Sequence, residues 1–104
     1  MQAFAVEISR FVDEHQPGFV ECSLLDADGN KHLFIEKVPV VTLEDLQPTS
    51  EYPRPGVVGC EPQAEWVDAS GRIKVRVSTE LPWHVESTEG ETVFVVWAEQ
   101  LVFL

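Results

Sequence analysis

The chain is predicted to be all-β: an antiparallel meander of six to seven strands that closes into a small barrel or a sandwich. Three segments carry this reading: Asp26-Ala27-Asp28-Gly29, Asp68-Ala69-Ser70-Gly71 and Ser87-Thr88-Glu89-Gly90. Each runs through small or polar residues to a glycine, and each lies between stretches rich in Val, Ile, Phe and Trp. A glycine closing a hairpin loop supplies positive φ at no steric cost. At 104 residues and 44% hydrophobic content, the chain suits a single domain with one core.

The elements follow in order. Phe4, Val6 and Ile8 alternate with Ala5, Glu7 and Ser9, which predicts a first strand. Gln16-Pro17-Gly18-Phe19 has the residues of a type II turn. A four-residue loop at 26–29 would set Val20 against Ile35 and Cys22 against Leu33, with Phe34 and His32 on the opposite face beside Glu21 and Ser23. Thr42-Leu43-Glu44-Asp45 resembles a capping box and Pro48 would stop it, so one short helical turn is expected near residues 43–47. Pro48, Pro53 and Pro55 make Gln47 to Gly56 an extended surface loop.

A four-residue loop at 68–71 would place Trp66 opposite Ile73, Ala64 opposite Val75 and Pro62 opposite Val77. Trp66 then points inward, while Arg72, Lys74 and Arg76 point outward, with Glu65 facing Lys74. A three-residue loop would set Trp66 against Lys74 and break the alternation. Val93-Phe94-Val95-Val96-Trp97 is apolar throughout, which predicts burial on both faces or a surface for self-association. Leu101 to Leu104 adds a last short strand. Three strands, a short helix and further strands fit an OB-like or an SH3-like barrel equally.

The formal net charge is −11, from 18 acidic and 7 basic residues. Such a field repels a phosphate backbone, so no nucleic acid is expected as a partner, whereas a basic protein is attracted. No apolar run approaches the roughly 18 residues that span a membrane, so no membrane partner is expected. The start, Met1-Gln2-Ala3-Phe4-Ala5-Val6-Glu7, has no basic residue and argues against a secretory signal, so the expected location is cytoplasmic. Cys22 and Cys60 are read as buried free thiols on apolar strand faces.

No pattern points to a catalytic, metal or cofactor site. Asp26-Ala27-Asp28-Gly29-Asn30 has the start of a calcium loop, but a strand follows at once and no twelve-residue loop is present. His15, His32 and His84 share no face with ligand spacing. Ser23 and His32 would be cross-strand neighbours with no third partner, and no Gly-x-Ser-x-Gly or glycine-rich phosphate loop occurs. One segment stands apart: beyond Arg76 there is no Lys or Arg, but five glutamates, and Trp83 lies among four of them. Trp is enriched among interface anchors, so Trp83, His84, Glu86, Glu89 and Glu91 are the candidate partner-binding residues. The competing expectation is that Trp83 folds into the core.

Phe19-Val20-Glu21-Cys22, Lys37-Val38-Pro39-Val40-Val41 and Pro82 to Gly90 resemble a group of small bacterial proteins of about 100 residues with no assigned activity. The resemblance implies no catalytic residue or cofactor. In size and acidity alone the chain is also similar to toxin-neutralising immunity proteins. The functional expectation is a non-enzymatic protein-binding module with a basic partner. A self-associating structural subunit, a homo-oligomer, is the alternative, and a small hydrolase or metal-dependent enzyme stands third.

Overall fold

A computed structural model describes all residues, 1–104. Seven strands form a curled half-barrel: β1 (Gln2–Asp13), β2 (Phe19–Leu25), β3 (Lys31–Lys37), β4 (Arg54–Val67), β5 (Ile73–Ser78), β6 (Val93–Trp97) and β7 (Leu101–Phe103). The sheet order is β3-β2-β1-β4-β5-β6, and β7 returns to pair with β1. The fold is thus two three-stranded meanders joined by the β1–β4 pair rather than one continuous meander. β1 makes the join because it is long and bent. Its first half pairs with β4 and its second with β2, and irregularities at Ile8/Arg10 and Phe11/Asp13 break its register. Such bulges increase local bend and twist.

The inward residues of β1 are those the alternation predicts, Phe4, Val6 and Ile8. They meet Val20, Cys22 and Leu24 of β2, Val58 and Cys60 of β4, Val75 and Val77 of β5, and Phe94 and Val96 of β6. Phe4, Phe34 and Phe94 form a ring cluster with centroids 5.5–6.2 Å apart. Phe94 meets both other rings edge-to-face, an arrangement that adds about 1 kcal/mol per pair beyond area burial.

All three glycine-ended turns use one device. In each, the N–H of the first residue bonds to the carbonyl four positions on: Asp26 to Asn30, Asp68 to Arg72, Ser87 to Glu91. The first residue's side-chain oxygen accepts two further N–H groups, from Asp28 and Asn30, from Ser70 and Arg72, and from Glu89 and Glu91. Gly29, Gly71 and Gly90 take φ of 83°, 87° and 81°. These are three-residue loops, a type I turn followed by a left-handed glycine.

The shorter loop moves each register by one from the four-residue expectation. Cys22 pairs with Phe34, not Leu33. Phe34 therefore enters the core, and Ile35 turns outward. Ser23 pairs with Leu33, and Leu24 takes the place opposite His32. In the second hairpin Trp66 pairs with Lys74 and is 41% exposed, so the inward placement of Trp66 is overturned. A bulge at Gln63 restores the predicted Pro62–Val77 pair. The capping aspartate outweighs the hydrophobic match because it satisfies two turn N–H groups at once.

The helical turn expected near residues 43–47 lies at Val38–Val41 (α1), with Pro39 in its first turn. Val38 and Val41, three apart, both reach the core, which decides its position. Thr42 ends this helix, and its hydroxyl accepts the Glu44 N–H in a local turn. The turn before β2 runs from His15 to Gly18 with a cis Gln16–Pro17 bond, not a type II turn over 16–19. In β6 Phe94 and Val96 are buried, but Val93 is exposed and Val95 and Trp97 are half-buried, so burial is complete on one face only. A 3₁₀ turn, Ala98–Gln100, leads into β7, the predicted last strand.

Candidate functional site

The loop between β5 and β6 carries the candidate residues. Two buried threads anchor it. Thr79 donates its hydroxyl to the Val85 carbonyl, and its N–H bonds to Thr92. Val85 itself sinks into the core. Between these anchors Leu81 and Trp83 stay 57% and 59% exposed, so Trp83 is not a core residue. Gly59 of β4 explains how the loop lies. A Cβ there would come within 3.1 Å of Pro82 Cδ and Trp83 Cδ1, so the Pro82-Trp83 segment rests closely on the outer face of β4 and would have to give by a few tenths of an ångström under a larger residue.

His84 holds φ of 52°, and its Nε2 lies 3.0 Å from Glu86 Oε1. Both line a shallow, open hollow of about 460 Å³ with Ile35, Glu36, Ser87 and Thr88. Ile35 is there because of the register shift, and Glu36 follows it on β3. Burial pushes the Glu36 carboxyl up, against the pull of the Lys37 backbone and charge. Neither residue stood out in the sequence, since both depend on which face of β3 turns outward. Glu89 sits at the tip of the third turn, exposed and without a cationic partner. Glu91 turns toward β3, with Oε1 3.4 Å from His32 Nδ1, and lines a smaller hollow there with Glu89.

The basic residues are largely neutralised by partners within the chain. Arg10 pairs with Glu21, Arg54 with Glu44, Arg72 with Glu99 and Lys74 with Asp28. The Arg72 guanidinium lies 3.6 Å above the Trp97 ring. Arg72 and Lys74 thus face outward as expected, but their acidic partners are Glu99 and Asp28, not Glu65. Ten acids, among them Glu61, Glu65, Glu80 and Glu89, have no ion-pair partner.

Cys22 and Cys60 are free and buried, and burial pushes their thiols up to about 12 and about 11. No helix is long and apolar enough to cross a membrane. The chain matches no family model, no curated protein and no solved structure.

Proposed function

We propose that the protein is a non-enzymatic binding module that takes a basic protein partner on the acidic loop around Trp83. The observation that carries this reading is Trp83 itself, an exposed indole on a loop that has glutamates and no Lys or Arg. Desolvating such a ring against a partner is the usual origin of an interface hot spot. The open hollow that His84 and Glu86 of the same loop line with Ile35 and Glu36 combines one apolar side chain with two carboxylates, which suits a long basic side chain. Trp97 supplies an internal precedent: the Arg72 guanidinium sits over its ring and is held by Glu99. Trp83 among Glu80, Glu86 and Glu89 offers the same chemistry without its own cation. Neutralisation of a basic toxin is one specific form of this idea. A cytoplasmic setting fits the two free thiols.

The test is capture from a cell lysate at low salt, repeated with Trp83→Ala. A basic protein retained by the native chain should be lost or weakened by more than about tenfold in the variant. Its association rate should fall steeply with salt. Equal retention by Trp83→Ala, or no retained protein at low salt, overturns the reading.

Self-association remains the second reading, on a different observation. Phe94 and Val96 are taken up by the core, but Met1, Val102, Phe103 and Leu104 are exposed, with Leu104 bonded to the Met1 carbonyl. Light scattering at high protein concentration tests it, and a monomer there rejects it.

A further inference from the structure

One polar cluster lies outside the candidate loop yet touches its base. His32 of β3 is only 12% exposed, and its ring stands edge-on to Phe94 with centroids 4.9 Å apart. Nε2 lies 2.8 Å from Asp26 Oδ2, in the first turn. Nδ1 lies 3.4 Å from Glu91 Oε1, in the third turn. The two carboxylates sit at opposite ring nitrogens, so they cannot converge on one metal ion with the imidazole. They are arranged instead for a ring that carries two protons.

The cluster lies on a seam. The first turn reaches β6 through the Ala27 N–H and Val95 carbonyl, and reaches β5 through Asp28 and Lys74. The third turn reaches β3 through the Thr88 N–H and Leu33 carbonyl. His32 stands between these attachments. Lys31 and Glu89 line the same small hollow beside it.

We infer that His32 is a proton-operated latch that holds the third turn, and with it the acidic loop, against β3. The imidazolium donates from Nε2 to Asp26, and its second charged N–H, at Nδ1, attracts the Glu91 carboxylate 3.4 Å away. The neutral ring has one N–H, and the nearer acceptor, Asp26, keeps it at Nε2. The Nδ1 lone pair then faces the Glu91 carboxylate, and the contact turns repulsive. Glu91 is the arm that yields, because its side chain is much more exposed than that of Asp26. Asp26 stays in place, held by the N–H groups of Asp28 and Asn30. Loss of the ring's second proton therefore loosens the turn that carries Glu89 and Glu91, while the first turn stays closed. This follows from the ring's geometry and stands whether or not Trp83 binds a partner.

The test uses the full chain and nuclear magnetic resonance over a pH series that carries His32 from two ring protons to one. Ring nitrogen shifts report the proton count of His32, and amide-exchange protection reports each seam. Thr88 protection should fall at least about threefold as His32 loses its proton. Protection of Ala27, and of Gly71 in the matching turn far from His32, should not follow that titration. Glu91→Gln, a change at an exposed side chain, should abolish the Thr88 response. His84→Gln should preserve it, although that imidazole faces Glu86 in the same loop. Thr88 protection that ignores the His32 titration overturns the latch, as does an unchanged response in Glu91→Gln or its loss in His84→Gln.

Discussion

Asp26, Asp68 and Ser87 do the same local work in different surroundings. Each accepts two turn N–H groups, but Asp26 is 7% exposed and also holds His32. Burial opposes its charge, yet the His32 ring and the Asn30 and Asp28 N–H groups outweigh burial and hold its carboxyl below 3.8. A carboxyl with a lowered native value stabilises the fold above its unfolded value, and that stability is lost as the pH falls through the native one. Asp26→Ala should therefore cost about 2 kcal/mol at neutral pH, from lost hydrogen bonds to a buried charge, with the loss shrinking below about pH 4. Asp68→Ala, at an exposed turn, should cost less. Urea unfolding at pH 7 and pH 3 separates the two. The thiols give a second residue-scale prediction. With values pushed up to about 11 and about 12, Cys60 and Cys22 hold almost no thiolate at pH 8. Labelling with a disulfide reagent should then be slow in the native protein and complete in denaturant, whereas fast native labelling of either would contradict their burial.

At the scale of elements, the predicted and observed hairpins differ by one residue with large consequences. Phe34 goes in and Ile35 comes out, and Trp66 moves to the surface of the β4–β5 ribbon. Phe34→Ala should cost about 3–5 kcal/mol, as expected for an aromatic removed from a fully packed site. Ile35→Ala should cost under about 1 kcal/mol, and thermal unfolding of the pair reads the register directly. Had the four-residue loops formed, the two costs would be reversed. The β4 strand supplies the other element-scale device, Gly59, on which Pro82 and Trp83 rest. Gly59→Ala should displace that segment, shift the Trp83 fluorescence and destabilise by about 1 kcal/mol through overpacking. An unchanged spectrum would place the loop elsewhere.

The whole molecule is dominated by its charge. Ten unpaired acids on a chain of net charge −11 repel one another in the folded state. Added salt screens that repulsion, with a Debye length falling from about 30 Å at 0.01 M to about 10 Å at 0.1 M. The melting temperature should consequently rise by a few degrees over that range, roughly the shift given by 0.5–1 kcal/mol in a domain this size. The same screening should weaken capture of a basic partner. Stability and binding thus respond to salt with opposite signs, and calorimetry beside binding kinetics checks both.

What the residues alone determined was the inventory: an all-β chain, three glycine-ended turns, a first strand with Phe4, Val6 and Ile8 inward, two buried thiols, and an acidic segment around Trp83. These are legible because strand alternation and turn chemistry are local. The loop lengths are local too, set by an aspartate with two N–H groups to satisfy, which outweighs the facing of apolar side chains, whereas the fold decided the rest. It set the helical turn at Val38–Val41, where two valines reach the core. It left Trp83 outside because the Pro82-Trp83 segment lies on the outer face of β4 at Gly59, while Val85 is the loop residue that enters the core. It brought Ile35 and Glu36 beside His84 and Glu86, and His32 between Asp26 and Glu91. Those meetings join residues up to 59 positions apart, His32 to Glu91, through strand pairings that no local pattern specifies.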